Sequence, residues 1–398
     1  MVGVLHIIGA GLAGLACAVE ALKLGQRKIV LYEATAHAGG RCRSFLDPHL
    51  DRVIDNGTHL ILSANTELLS YAHSVGASAA LHEIGPATFP FIDLRSGQKW
   101  TLKPGLRLLA GGVPGMRPGD LMDALRVLNA PKGRTVAACV NTAAPLYERL
   151  LRPFCVSVLN AQPEEAEASL LGAVLGRTIF KGERASRAVI APHGLGAALI
   201  EPAIAHLKSH SVTINVRSQL VAIQDHTLNF KGISVEMDRQ DHVVLAVPWH
   251  AAGELIPGLR VPTLSRAIFN LHLLLDRAPA LSPPYLGFIG GHSQWLSIRG
   301  DVASVTISDP NQELEADRIW EEVRGSLGMA GAPLPPHRLI VEKRATFAQT
   351  PEQAARRPGP RTVNPQVFLA GDWTDTGLPC TLEGAALSGR RAAQLIAK

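Results

Sequence analysis

Three glycine-rich turns carry the residues of this chain that could do chemistry. The first is Gly9-x-Gly11-x-x-Gly14. There Gly9 permits a tight turn, Gly11 lets backbone approach a pyrophosphate, and Gly14 lets a helix pack closely on a strand. Glu33 lies nineteen positions past Gly14, where a carboxylate can accept both ribose hydroxyls of an adenosine. The second turn is Gly39-Gly40-Arg41; its glycines again allow close approach, and Arg41 is placed to neutralise phosphate oxygens. The third, Gly371-Asp372, delivers a carboxylate to a ribityl or phosphate region. Behind it a helix beginning near Leu382 can turn its free N–H groups toward a flavin pyrimidine edge. Dinucleotide binding is the chemistry these turns share.

The remaining reactive residues are sparser. Arg52–Leu62 reads as a strand broken by a sharp turn at Asn56-Gly57-Thr58-His59. His193, beside Pro192, reads as a loop or capping histidine. No Ser/His/Asp order, His-Glu-x-x-His motif or carboxylate pair supports hydrolase or metal chemistry, so no metal is expected. The five cysteines are odd in number, widely spaced and without a C-x-x-C pair, which points away from disulfides and zinc and toward a reducing cytoplasm.

The elements that must position these residues follow from apolar patterning. Val4–Ile8 reads as a buried parallel strand, Lys28–Tyr32 is a second apolar run, Asp241–Val247 is another buried strand, the run from Gln366 is a strand ending in Gly371-Asp372, and an Ala/Leu-rich helix follows Gly14. Ser63–Gly76 reads as a helix, as do Pro192–Lys208 and Gln312–Leu327. Thr88–Ile92, Lys99–Leu102, Ser211–Val216 and Leu220–Ile223 read as strands. The fold class is α/β (α+β overall): a Rossmann-like cofactor domain discontinuous in sequence, with a second domain of mixed sheet and helices. The boundaries are 1–78, 188–258 and 359–398 for the first, and 79–187 and 259–358 for the second. A length of 398 residues fits two cores.

Hydrophobic residues make up 46% and charged residues only 18%, a globular composition. The net charge of +5 and the 5% aromatic content give no reason to expect nucleic acid, although an anionic membrane surface is compatible. The uncharged stretches Met1–Val19 and Ala278–Ile298 contain the cofactor turn and several prolines respectively, and neither reads as a signal or anchor. Apolar faces at Leu106-Leu108-Leu109 and Leu121-Leu125-Leu128, beside Arg107, Arg117 and Arg126, read either as ordinary packing or as a lipid-facing entrance.

Taken in order, the motifs resemble the FAD-dependent amine oxidase and phytoene desaturase superfamily end to end, which favours FAD over NAD. Within it the chain is most similar to the hydroxysqualene dehydroxylases, also labelled squalene-associated FAD-dependent desaturases. Gly39–Ser44, Ile54–Leu60, Leu159–Glu164 and Ala370–Pro379 carry that likeness. The resemblance implies a glutathione reductase/amine oxidase type cofactor domain and non-covalent FAD. It places Glu33 at the adenosine ribose, Arg41 at the pyrophosphate and Asp372 at the ribityl-phosphate region. It puts Asn56, Gly57, Thr58, His59 and Leu382 near the isoalloxazine, and an adenine contact at the backbone of Leu220 or Val221.

The resemblance also implies an activity: reduced FAD replaces the hydroxyl of hydroxysqualene with hydride, giving squalene and water in hopanoid or isoprenoid biosynthesis. Such a reaction needs an acid at the departing hydroxyl and a dry pocket for the allylic cation. His59 is the candidate acid; its other role would be to hydrogen-bond flavin or backbone. No second complete Gly-x-Gly-x-x-Gly unit exists, so an external electron donor is expected. The expected partners are therefore a hydrophobic polyprenyl substrate, that donor and a membrane surface, for a cytoplasmic protein peripheral on the inner face of the cytoplasmic membrane. A carotenoid-type desaturase, an amine oxidase and a non-catalytic flavin-bound lipid carrier are the alternatives.

Overall fold

The computed structural model describes residues 3–108, 112–224, 226–309 and 314–397. Leu109 of the first apolar helical face and Gln312, the expected start of a helix, lie outside the described residues.

Leu5–Ile8 is the middle strand of a five-stranded parallel sheet, ordered Thr213–Asn215, Ile29–Tyr32, Leu5–Ile8, His242–Leu245, Val367–Leu369. The four strands other than Thr213–Asn215 are covered on both faces, which is why they read as mainly apolar runs, whereas Thr213–Asn215 at the sheet edge is partly exposed. Helices Leu12–Lys23, Thr66–Ser74, Glu201–Ser209 and Leu382–Ile396 cover one face. The other packs Ile8, Val243 and Leu369 against Leu220, Phe230 and Trp249, with Leu220 and Phe230 supplied by a small antiparallel sheet over residues 220–236. Helices Leu12–Lys23 and Leu382–Ile396 cross closely. A Cβ at Gly389 would fall 2.1 Å from the Ala13 carbonyl oxygen, so only glycine fits that crossing.

A seven-stranded mixed sheet forms the second layer, ordered His337–Phe347, Ser265–Leu274, Val302–Ser308, Trp295–Arg299, Tyr285–Ile289, Phe89–Asp93, Lys99–Leu102. All neighbours are antiparallel except Tyr285–Ile289 beside Phe89–Asp93. One face packs Leu271, Leu273 and Val305 on helix Ala316–Arg324 through Ile319, Trp320 and Val323. Toward the outer strand, Phe89, Phe91 and Tyr285 on the opposite face meet helices Leu121–Leu128, Arg152–Leu159 and Ala168–Arg177. Among the described residues no helix is long and apolar enough to cross a membrane.

The expected helix from Pro192 is split. A wide π turn at Gly196–Ile200 precedes helix Glu201–Ser209, and Pro202 stands in the first turn of that helix. Proline has no N–H to return to the carbonyl four residues back, so the turn widens instead. The same arrangement recurs at Tyr147–Leu151 ahead of Pro153.

Candidate active site

The first turn builds a cradle of backbone. Gly9 sits at φ +104°, where a Cβ would strike the Ala246 carbonyl oxygen at 2.5 Å, whereas a Cβ at Gly11 would meet no protein atom. Gly11 is the N-cap of helix Leu12–Lys23, so the first N–H groups of that helix lack intrahelical partners and face the open side. A Cβ at Gly14 would lie 1.9 Å from the Gly9 carbonyl oxygen, which explains the third glycine. The Gly39-Gly40 turn lies alongside: Gly39 N–H donates to the Ala10 carbonyl at 2.8 Å, and a Cβ at Gly40, which sits at φ +56°, would lie 3.4 Å from Gly11 Cα. Buried Glu33 accepts from Ala10 N–H at 2.9 Å on one oxygen and from the Thr35 N–H and hydroxyl on the other. A carboxylate has about four acceptor sites, so an outer lone pair remains for a ribose hydroxyl.

Arg41 and Asp372 come together although 331 positions separate them: Arg41 Nη2 donates to Asp372 Oδ1 at 2.7 Å, and Nη1 to the Ala345 carbonyl. The Gly371–Thr374 turn is held from behind. Ser388 Oγ accepts from Gly371 N–H at 2.8 Å, and Trp373 Nε1 donates to the Val247 carbonyl at 2.8 Å. Buried Arg357 donates to the carbonyls of Asp372, Trp373 and Thr374 and lies over the Phe347 ring. Its Nη1 is enclosed without a partner among the described residues, and burial lowers its pKa. The Cys380 thiol reaches the Asp372 carbonyl at 3.8 Å, and burial pushes its pKa up, so it stays protonated. Thr381 caps the last helix by accepting from Gly384 N–H at 3.1 Å, which leaves half-buried Leu382 in its first turn.

The Asn56–His59 turn lies between the two sheets. Asn56 is buried and donates to Glu342 at 3.2 Å. Asn270, from the mixed sheet, accepts from Thr58 N–H at 3.4 Å and donates to the Asn56 carbonyl at 3.4 Å, while Thr306 donates to it at 2.9 Å. His59 is exposed and lies close to Gly57. The surrounding protein desolvates it and lowers its pKa below 6.5; Asp55 and Asp372 pull upward and Arg41 downward. That direction favours the neutral imidazole. In the small antiparallel sheet packed on the cofactor sheet, a bulge between Leu220 and Ala222 takes Val221 out of its ladder; Leu220 is buried and Val221 is 49% exposed.

Asn270 and Arg357 are the contributors that motif reading misses. Asn270 had a signal: with His272 it alternates against Phe269, Leu271 and Leu273, a pattern that marks a polar strand face, and both residues are 1% exposed. Arg357, in an irregular stretch before the last strand, had none.

The fold and this cradle define a dinucleotide-binding flavoprotein, and comparison agrees. Residues 12–397 match the family described as flavin containing amine oxidoreductase. The chain is 41% identical to the hydroxysqualene dehydroxylase of Rhodopseudomonas palustris over 98% of its own length and 97% of the relative's. It is 40% identical to that of Sinorhizobium fredii over the same shares. Cyclohexylamine oxidase from Brevibacterium oxydans superposes with a TM-score of 0.70 at 16% identity, covering 99% of this chain and 98% of that one. The chain belongs to the flavin containing amine oxidoreductase family and, within it, to the hydroxysqualene dehydroxylases.

Proposed function

We propose that this chain is an FAD-dependent oxidoreductase that converts hydroxysqualene to squalene and water, a step of hopanoid and isoprenoid biosynthesis. The observation that carries the reading is 41% identity to a hydroxysqualene dehydroxylase across 98% of the chain, with a glycine cradle that fits a dinucleotide. Segments 1–78, 188–258 and 359–398 form the cofactor domain, and 79–187 and 259–358 the substrate domain. Glu33 holds the adenosine ribose, and Leu220 or Val221 offers backbone to the adenine. Gly9, Gly11, Gly14 and Gly40 admit the pyrophosphate, with Arg41 as counter-charge, and Asp372 orients the ribityl chain. Gly371 lets the chain turn there, at φ +142°.

Bound FAD, once reduced by an external donor, supplies the hydride. Around the reacting carbon, Asn270 fixes the Asn56-Gly57-Thr58 turn and Leu382 presents the last helix's N-terminus. His59 directs an N–H at the departing hydroxyl; for that hydroxyl to leave as water the imidazole first takes a proton from solvent, passes it to the leaving oxygen and returns to its neutral form, because a neutral imidazole donates a hydrogen bond but not a proton. The polyprenyl substrate arrives from a membrane surface on the cytoplasmic side.

The test is anaerobic. Photoreduced enzyme is mixed with detergent-dispersed hydroxysqualene, the flavin band is followed, and products are extracted. Reoxidation with squalene formed is the expected result. Flavin that stays reduced sinks the reading and directs attention to oxidative desaturation.

A further inference from the structure

Residues 101–187 contain 12 Lys and Arg against 7 Asp and Glu, so the chain's whole excess of +5 resides in them and the remainder is balanced. Their acids are also engaged. Asp123 is buried under Arg126 and the Asn141 N–H, Glu167 is buried as a helix cap, and Glu164 and Glu165 are bound by Tyr147 and Arg266. Lys103, Arg117 and Lys181 are exposed and form no ion pair among the described residues.

Helix Leu121–Leu128 lies within this segment. It buries Asp123, Ala124 and Val127 and turns Met122, Leu125 and Arg126 outward, with Met122 53% and Leu125 49% exposed. Positions 122, 125 and 126 share one helical face, so two large apolar side chains stand beside a guanidinium. The helix packs on Ala168–Arg177, where Gly172 faces the Val127 carbonyl and Gly176 the Leu128 side chain. Beyond that helix, Gly105 N–H donates to the Ile179 carbonyl at 2.9 Å, which brings the Lys103 and Lys181 segments together. Solvent gives Met122 and Leu125 no reason to face outward, but a bilayer interface does.

We propose that the outer face of helix Leu121–Leu128, with Arg117, Arg126 and the neighbouring cations, docks on an anionic lipid bilayer. Met122 and Leu125 enter the acyl boundary while the cations meet lipid phosphates. Charge complementarity selects a bilayer over a second copy of this chain, whose matching face would bring like charges together. The inference deepens the proposed function, since a polyprenyl alcohol resides in membrane.

FAD-loaded protein is floated with vesicles of phosphatidylcholine alone and of phosphatidylcholine with phosphatidylglycerol, at low and high salt. Binding only to the anionic vesicles, weakened by salt, is expected. Met122→Ser with Leu125→Ser, and separately Arg117→Glu, should each weaken it more than about tenfold. Flavin absorbance identifies variants that fail to fold, and Met122→Ala with Leu125→Ala is the milder substitute. Equal binding to both vesicle types, no binding, or binding unmoved by the substitutions overturns the proposal. So does a concentration-dependent dimer, formed without lipid and lost in the double variant. Turnover separates this from the proposed reaction: the double variant should match wild type on detergent-dispersed hydroxysqualene and fall at least about fivefold on vesicle-embedded substrate. Absence of turnover in both forms for wild type defeats the reaction alone, while flotation still decides the surface.

Discussion

At the residue scale the site rests on a few charged contacts whose removal has separable effects. Glu33 is braced by Ala10 and Thr35, so Glu33→Ala loses that brace and, on the proposed reading, the ribose contact. Hydrogen bonds to charged groups contribute about 1.5–3 kcal/mol, and FAD titration should show affinity about ten- to a hundredfold weaker. His59→Ala should lower turnover more than FAD content; equal loss of both would make His59 a binding residue. The pH profile discriminates further. The His59 pKa lies below 6.5, so an imidazolium acid would make kcat climb as pH falls from 6.5, whereas a neutral hydrogen-bond donor leaves kcat flat there. Arg357 is a positioning residue: it grips the three successive carbonyls of Asp372, Trp373 and Thr374 with no carboxylate partner among the described residues. Arg357→Met should weaken FAD binding and lower the flavin midpoint potential, because a buried positive charge favours the anionic reduced flavin. Arg357→Lys should restore the potential more fully than the affinity, since one ammonium cannot span three carbonyls.

At the scale of elements, much of the arrangement is legible before any coordinates. Apolar runs mark four of the five parallel strands, two of them ending in glycine turns, because burial on both faces leaves little room for polar alternation. Helix limits are less legible. Thr66–Ser74 is shorter than its Ser63–Gly76 pattern because Glu383, from a distant helix, caps it by accepting from Glu67 and Leu68 N–H at 3.1 and 2.9 Å. The split before Pro202 was written in the sequence as a proline but needs the π turn to be understood. Asn270 could be noticed as a polar residue in an apolar strand, yet nothing local says that it faces Thr58, a residue 212 positions away. Packing glycines hide likewise. Gly389→Ala should destabilise the protein by about 1–3 kcal/mol through overpacking against Ala13 and Cys17. Urea unfolding checks this, and a variant as stable as wild type would show that the crossing can relax.

At the scale of the molecule, the polar face of the mixed sheet keys it to the cofactor sheet. His272 is enclosed there, its Nδ1 2.8 Å from Ser304 Oγ, and burial depresses its pKa to about 4, opposed by Asp55. An unfolded chain restores a histidine to about 6.5, so between pH 6.5 and 4 the unfolded state binds the extra proton. Stability from this group is full above 6.5 and is lost as pH falls through the window, by about 3 kcal/mol in all. Melting temperatures at pH 7 and 5 should therefore separate more for wild type than for His272→Gln, and equal separation would refute the assignment. The neighbouring Asp55 accepts from Leu195 N–H at 3.0 Å and from Arg299 at 2.5 Å, so loosening at His272 reaches the strand that leads into the Asn56 turn.

The order in which the parallel sheet takes its strands has a consequence for biosynthesis. During translation the glycine cradle and Glu33 emerge well ahead of the edge strand Val367–Leu369 and of the Asp372 carboxylate, which follows its partner Arg41 by 331 positions. The mixed sheet is threaded between them. A nascent chain therefore carries half a nucleotide site throughout the synthesis of the intervening segment, with strand edges open. Flavin capture is a late event, coupled to completion of the fold, and a ribosome stalled before Val367 would hold a chain unable to retain its cofactor.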